Sequence, residues 1–343
     1  MTEKRTDVNT LGEFGLIDHL TKDTIQYNPE TVKAVGDDAA VIALTKPLCL
    51  VSTDTLVEGI HFDLGYTPLK HLGYKSVIVN LSDIYAMNGI PTQVTFSMAL
   101  SNRFSVEALE ELYEGIHLAC KHYQVDLVGG DTTSSPKGLF ISVTAIGQAT
   151  EDEVVYRSGA QIGDLICITG ELGAAYLGLQ LLEREKQIFD STPGIQPELN
   201  EKYSYLLSKQ LKPEARKDVI ETFHRLNIRP HAMIDISDGL SSEIMHICKQ
   251  SGCGALIEEK LIPIVPIATE LALEFNINPI TAALNGGEDY ELLFTISEKE
   301  FEKIKYLPGF YVIGEIRPAK ENTLLQTTGG RFVPLEAQGW KHM

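Results

Sequence analysis

Aspartates flanked by glycine, serine and threonine recur along this chain at the ends of apolar runs, and they are where its chemistry should lie. The clusters are Gly36-Asp37-Asp38-Ala39-Ala40, Ser52-Thr53-Asp54-Thr55, Asn80-Leu81-Ser82-Asp83, Gly129-Gly130-Asp131-Thr132-Thr133 and Ile234-Asp235-Ile236-Ser237-Asp238-Gly239. Carboxylate and hydroxyl oxygens are hard ligands suited to Mg²⁺. Two carboxylates about 4 Å apart repel by about 4 kcal/mol at an effective dielectric of 20, and a bound cation removes that conflict. Taken singly, each cluster has a plainer reading. Gly-Asp-Asp is a common turn, and Asp83 could be a buried acid capping a nearby loop. A buried carboxylate needs donors or a cation, so Asp83, which leaves the apolar stretch Val77 to Ile84, should have one or the other.

Other chemistries lack their signatures. There is no GxxxxGK[ST], no GxGxxG opening a helix after the first strand, no HRD or DFG pair, no nucleophile elbow and no EF-hand loop. With 29 Lys and Arg against 47 Asp and Glu, the formal net charge is −18, and no basic stripe is available to grip nucleic-acid phosphates. A phosphate ligand is still compatible with this charge, because carboxylate-held cations invert the local field. Most of the acid is read as a solvated surface. The cysteines at 49, 120, 167, 248 and 253 form no CxxC and sit among apolar residues, which suits reduced core thiols in the cytoplasm. No signal peptide and no apolar run of about 18 residues is present, so no membrane association is expected.

The elements that must position these residues alternate between strand and helix. Thr10-Leu11-Gly12-Glu13 has capping-box spacing ahead of a short helix. Leu50 to Leu56 is a strand that delivers Ser52, Thr53 and Asp54, and the turn after it carries His61. Thr67-Pro68 starts a helix running to about Met87, with Asn80 and Asp83 on one face. Val94 to Leu100 and Leu139 to Gly147 are strands, and Ser105 caps a helix reaching about His122. Val125 to Val128 leads into Gly129-Gly130-Asp131. A domain boundary falls near Ala149 to Asp152, where charge replaces apolar alternation. Beyond it come a strand at Asp164 to Thr169, a helix from Ala174 to Glu185 and loop composition over Lys186 to Gln196. Helices follow around Lys202 to Lys209 and Glu214 to Leu226, then a strand at Ala232 to Ile236 and a helix from Leu240 to Gln250. The amides at the start of that last helix are available to a phosphate or to the adjacent carboxylates. This mixture is an α/β class, an α+β sandwich in each half, with domains at 1–150 and 151–343.

Taken in order with Gly59-Ile60-His61-Phe62, Arg157-Ser158-Gly159, Gly286-Gly287-Glu288-Asp289-Tyr290 and Gly339-Trp340, these clusters resemble the thiamine-monophosphate kinase family over Gly12-Glu13-Phe14 to Trp340. That family belongs to the ATP-dependent superfamily typified by aminoimidazole ribonucleotide synthetase. The resemblance implies its two-domain fold and a homodimer joined through the N-terminal sheet. Residues 1–150 would then bind ATP and magnesium, and residues 151–343 would complete the active site. It makes Asp38, Ser52, Thr53, Asp54, Asp83, Asp131, Asp235 and Asp238 magnesium ligands, with Asp54, Asp83, Asp131 and Asp238 essential to catalysis. It places Gly130, Asp131, Arg157 and Ser237 on ATP, and His61, Glu288 and Trp340 on thiamine monophosphate.

Lys341 and Met343 depart from the family pattern of an acidic and an aromatic residue, and the Lys186 to Gln210 connection is longer. The implied reaction is transfer of the ATP γ-phosphoryl to thiamine monophosphate, giving thiamine diphosphate. The acceptor is a phosphate monoester with a second pKa of about 6, already an oxyanion at neutral pH, so the lack of an evident general base is expected. Sibling enzymes that phosphorylate selenide or a carboxamide would be expected to show a reactive cysteine near one terminus. Here the first is Cys49, inside an apolar run, and the chain ends Trp340-Lys341-His342-Met343.

Overall fold

A computed structural model describes residues 5–191 and 200–337. It divides into two compact units. One runs to Tyr85 and from Gly89 to Asp152, and the other takes Ala86–Asn88 and the chain from Glu153 onward.

The first unit begins with helix α1 (Gly12–Thr21) and the short strands β1 (Thr31–Lys33) and β2 (Val41–Ile42). Thr10 does not cap α1: its hydroxyl donates to Asp7 O at 2.7 Å, closing a 3₁₀ turn, and the helix starts at Gly12. There follow β3 (Leu48–Val57), α2 (Leu69–Ala86), β4 (Ile90–Leu100), α3 (Val106–Tyr123), β5 (Asp126–Ser134) and β6 (Leu139–Ala149). Ser105 caps α3 as expected, accepting from Ala108 N. Strands β3, β6, β4 and β5 form one sheet in that order. Its one parallel pair, β4 with β5, is joined through α3 as a crossover. The Gly129 to Thr133 cluster lies within β5, not beyond it, and Gly130 is required there because a Cβ would lie 1.8 Å from Phe96 O.

Helices α2 and α3 touch backbone to backbone. A Cβ at Gly73 would stand 1.9 Å from Leu112 O, and one at Gly115 1.9 Å from Lys70 O. Not every acid here is chemical: fully buried Asp126 accepts the amides of Tyr27 and Asn28 and the Thr31 hydroxyl, tying the N-terminal segment to β5.

The second unit contains β7 (Leu165–Thr169), α4 (Ala174–Ser191), α5 (Ser204–Leu211), α6 (Lys217–Leu226), β8 (Ala232–Asp235), α7 (Leu240–Ser251), β9 (Cys253–Glu258), α8 (Pro266–Glu274), α9 (Pro279–Asn285), β10 (Leu292–Ile296), α10 (Glu298–Phe301), β11 (Phe310–Pro318), β12 (Thr323–Gln326) and β13 (Phe332–Pro334). The strands form a seven-stranded sheet, β13-β12-β9-β11-β7-β10-β8, antiparallel except for β12 with β9. Helix α4 runs through to Ser191, so part of the stretch with loop composition is helical. Its apolar positions Leu177, Leu181 and Leu182 are buried, and the exposed residues 187–191 propagate from that packed start. One layer of core is aliphatic, with Ile166, Ile168, Ile234, Ile244 and Leu293. A Phe223, Phe294 and Phe310 cluster in edge and tilted contacts is also present.

Candidate active site

In the first unit, β3 and α2 bring one group of the expected residues together. The pleat turns Ser52 and Asp54 to the same side as Ala145, Val143 and Phe96, all in register across the sheet. There the Ser52 hydroxyl donates to Asp83 Oδ2, and Asn80 Oδ1 accepts the Asp54 amide at 2.9 Å. Asn80 is itself fixed by donating to Ser76 O at 3.1 Å. Burial by the surrounding protein, reinforced by the Asp83 charge, pushes the Asp54 carboxyl up to about 6. Asp54 and Asp83 thus face the same side of the sheet, where the charge of one acts on the other.

Thr53, one residue away, points to the opposite face, where its hydroxyl donates to Val143 O at 3.0 Å and accepts from Thr144. Asp131 shares that face. It is in register with Ser97 on β5, the edge strand farthest from β3, with β6 and β4 between. Three strand spacings separate the two edges, about 14 Å. Asp38 stands exposed on the bend between β1 and β2, its amide donating to Asp37 Oδ1. Among the described residues, no three His, Cys, Asp or Glu side chains gather tightly enough to hold a metal by themselves. What is assembled is the Asp54 and Asp83 pair with Ser52 and Asn80 oxygens beside it. This all-oxygen set of low ligand count fits Mg²⁺, which binds through one or two carboxylates and completes its shell with water and phosphate oxygens. On the turn after β3, the Val57 amide donates to His61 Nδ1 at 3.0 Å, so the proton of the neutral ring is on Nε2.

In the second unit, buried Asp235 ends β8, and Ser237 and Asp238 lead through Gly239 into α7. An acid the sequence reading passed over occupies the start of that helix. Glu243 is buried and accepts the Asp238 amide at 2.8 Å. Burial first, then the charges of Asp238 and Asp235, push its carboxyl up to about 8, although the Asp238 amide acts the other way. The sequence signal was an acid in the first turn after Ser-Asp-Gly, which reads as an ordinary helix-dipole residue.

Glu288 packs beside this turn, its amide donating to Ser237 O at 2.7 Å and its Oε2 accepting from Gln210 Nε2 at 2.8 Å. The neighbouring Asp289 is buried at the N-terminus of α4, accepting from the amides of Gly173 and Ala175, and burial raises its carboxyl to about 7. Arg157 is exposed on the segment before β7, where the Gly159 and Ala160 amides both donate to Ser251 Oγ at 3.1 Å. Trp340 lies outside the described residues, as do Lys341 and Met343.

Residues 36–149 match the family model described as AIR synthase related protein, N-terminal domain, and residues 161–325 match its C-terminal counterpart, so both units are of the AIR synthase related class. Among curated proteins, the chain is 42% identical over 294 residues to a thiamine-monophosphate kinase of Buchnera aphidicola subsp. Schizaphis graminum, covering 85% of each chain. It is 33% identical over 342 residues to that of Bacillus subtilis, covering 97% of this chain and 99% of the relative. A solved structure described as AaThiL complexed with AMPPCP and TMP superposes with a TM-score of 0.75 at 32% identity, covering 100% of both chains. The chain belongs to the thiamine-monophosphate kinase family.

Proposed function

We propose that this chain is a magnesium-dependent kinase that transfers the γ-phosphoryl of ATP in line to the phosphate of thiamine monophosphate, releasing ADP and thiamine diphosphate. The observation that carries the chemistry is the Asp54 and Asp83 carboxylate pair, tied to Ser52 and Asn80, in a chain of this family. Magnesium, when bound, would neutralise charge between two phosphate-bearing substrates that otherwise repel. In the first unit, Asp54, Asp83 and Ser52 would hold it on one face of the four-stranded sheet, and Asp38, Thr53 and Asp131 would be ligands of further ions, Thr53 and Asp131 from the opposite face. Asp235 and Asp238 would do so in the second.

Gly130 and Asp131 on β5, with Arg157 and Ser237, are assigned to ATP. His61, Glu288 and Trp340 are assigned to the acceptor. No side chain needs to remove a proton, because the attacking oxygen is already ionised. The protein's contribution is to align and to exclude alternatives. Incubating the protein with ATP, Mg²⁺ and either thiamine monophosphate or free thiamine should give thiamine diphosphate from the monophosphate alone. Turnover in excess chelator, or phosphorylation of thiamine only, would overturn the reading.

The working form is proposed to be a cytoplasmic homodimer joined through the four-stranded sheet, acting on small molecules without nucleic acid or membrane. No described helix is long and apolar enough to cross a membrane. One sheet face carries buried Leu50, Val94, Phe96 and Val143, while the other leaves Val51 65% and Phe140 40% exposed. Open apolar positions amid threonines and serines are what a second copy would cover. Pairing would also give Asp131 a neighbour other than its own distant β3. Val51→Lys should therefore yield a monomer in light scattering, with turnover greatly reduced. A dimeric Val51→Lys protein with parent activity would rule out this interface.

A further inference from the structure

Glu288 has a backbone conformation that glutamate rarely adopts. Its φ is +57°, and Tyr290, two residues on, has φ +51°. Such left-handed residues persist only where the surroundings over-determine them, and they concentrate where a side chain must be aimed. Here the constraint comes from both sides. The Glu288 and Tyr290 amides donate to Ser237 O and Ile236 O at 2.7 and 2.9 Å, and Gly287 lies so close to Ser237 that a Cβ would stand 2.4 Å from its carbonyl oxygen. Asp289 is anchored on the α4 amides.

The side chain of Glu288 is held as well, by buried Gln210 at 2.8 Å from the far end of α5. Gln210 in turn has a fixed base. Gly178 lets α5 press against α4, for a Cβ there would lie 2.3 Å from Leu206 O and 3.3 Å from Gln210 Cβ. Gln210 closes the connection whose length departs from the family pattern, so nothing in the motif set singles it out.

We infer that Gln210 is a positioning residue for the Glu288 carboxylate, and that through it α5 sets the affinity for an acceptor bearing N–H donors or a positive charge. This rests on the assignment of Glu288 to the acceptor made above. With the backbone locked and one carboxylate oxygen bonded, the group is ordered before the acceptor arrives, and that ordering need not be supplied by binding.

The test uses the full chain in steady-state assays. Gln210→Met keeps volume and removes the donor. It should raise KM for thiamine monophosphate about 5- to 30-fold, with kcat and the KM for ATP within about two-fold of the parent. Glu288→Gln should raise the same KM, and the double variant should be no worse than Glu288→Gln alone, since Gln210 acts through Glu288. Should Gln210→Met fail to give the parent circular-dichroism spectrum, Gln210→Glu, which sets a second carboxylate against Glu288, should raise the acceptor KM at pH 8 with the same selectivity. An unchanged acceptor KM in a folded Gln210 variant, or independent effects that multiply in the double variant, would overturn the inference while leaving Glu288 on the acceptor. An unchanged KM in Glu288→Gln would remove the assignment and this inference with it.

Discussion

Asp54→Asn and Asp83→Asn should each lower kcat by about 10²- to 10³-fold at saturating Mg²⁺ and substrates, the loss typical of deleting one preorganised electrostatic element. The amide is nearly isosteric, so the Asn80 contact to the backbone of residue 54 and the Ser52 contact to position 83 can persist. What disappears is a negative charge. The folded protein should not suffer, because Asp54 is held up at about 6 by burial and by its neighbour, and neutralising one of two crowded carboxylates relieves repulsion. Tm without ligands should therefore stay level or rise, while the stabilisation gained from Mg²⁺ with ATP should shrink. Near-parent turnover in either variant would make the pair structural. A collapse in Tm would mean that the charge serves the fold.

The Asp54 pair was legible from sequence because its parts are local: a strand that carries Ser52-Thr53-Asp54, and a helix with Asn80 and Asp83 a turn apart. Ser105 as a cap and the start of α2 after Thr67-Pro68 were legible for the same reason. Other features depend on contacts that sequence spacing does not encode. The capping-box pattern at Thr10 lost to a 3₁₀ turn closed by its own hydroxyl, and α4 outran its composition because its exposed last turns propagate from a packed start. The pleat separates Thr53 from Ser52 and Asp54, and the strand order separates Asp131 from all three. Neither can be read from a list of aspartates. Glu243, Gln210, Lys209 and Arg216 carry no motif. Only the fold sets them against Asp238, Glu288 and Glu291.

Glu291 is the case with the largest expected cost to stability. Its side chain is 2% exposed just before β10, an interior strand between β7 and β8, where it accepts from Thr169 Oγ1 at 2.8 Å and pairs with both Lys209, at 2.9 Å, and Arg216. Both cations are largely buried, with side chains 21% and 16% exposed. Burial, the largest single influence, would lower the pKa of Lys209, yet it is raised, because the charge and hydrogen bond of Glu291 together with Tyr205 and Asp289 outweigh desolvation. Arg216 has a second partner in Asp218 at 2.8 Å, whereas Lys209 depends chiefly on Glu291. Glu291→Gln keeps the shape and leaves two buried cations facing a neutral amide. Removing one partner of a buried pair costs about 3–5 kcal/mol, and the Asp218 contact points to the lower end. At about 3 kcal/mol the Tm of the second unit should fall by about 6–12 °C. Adding Lys209→Met should recover part of the loss, because it removes the charge left without a partner. Urea unfolding of the single and double variants measures both quantities. A Glu291→Gln protein as stable as the parent would show that water or a rearranged neighbour meets the two cations, and a double variant less stable than the single one would show that Lys209 contributes through packing instead of charge.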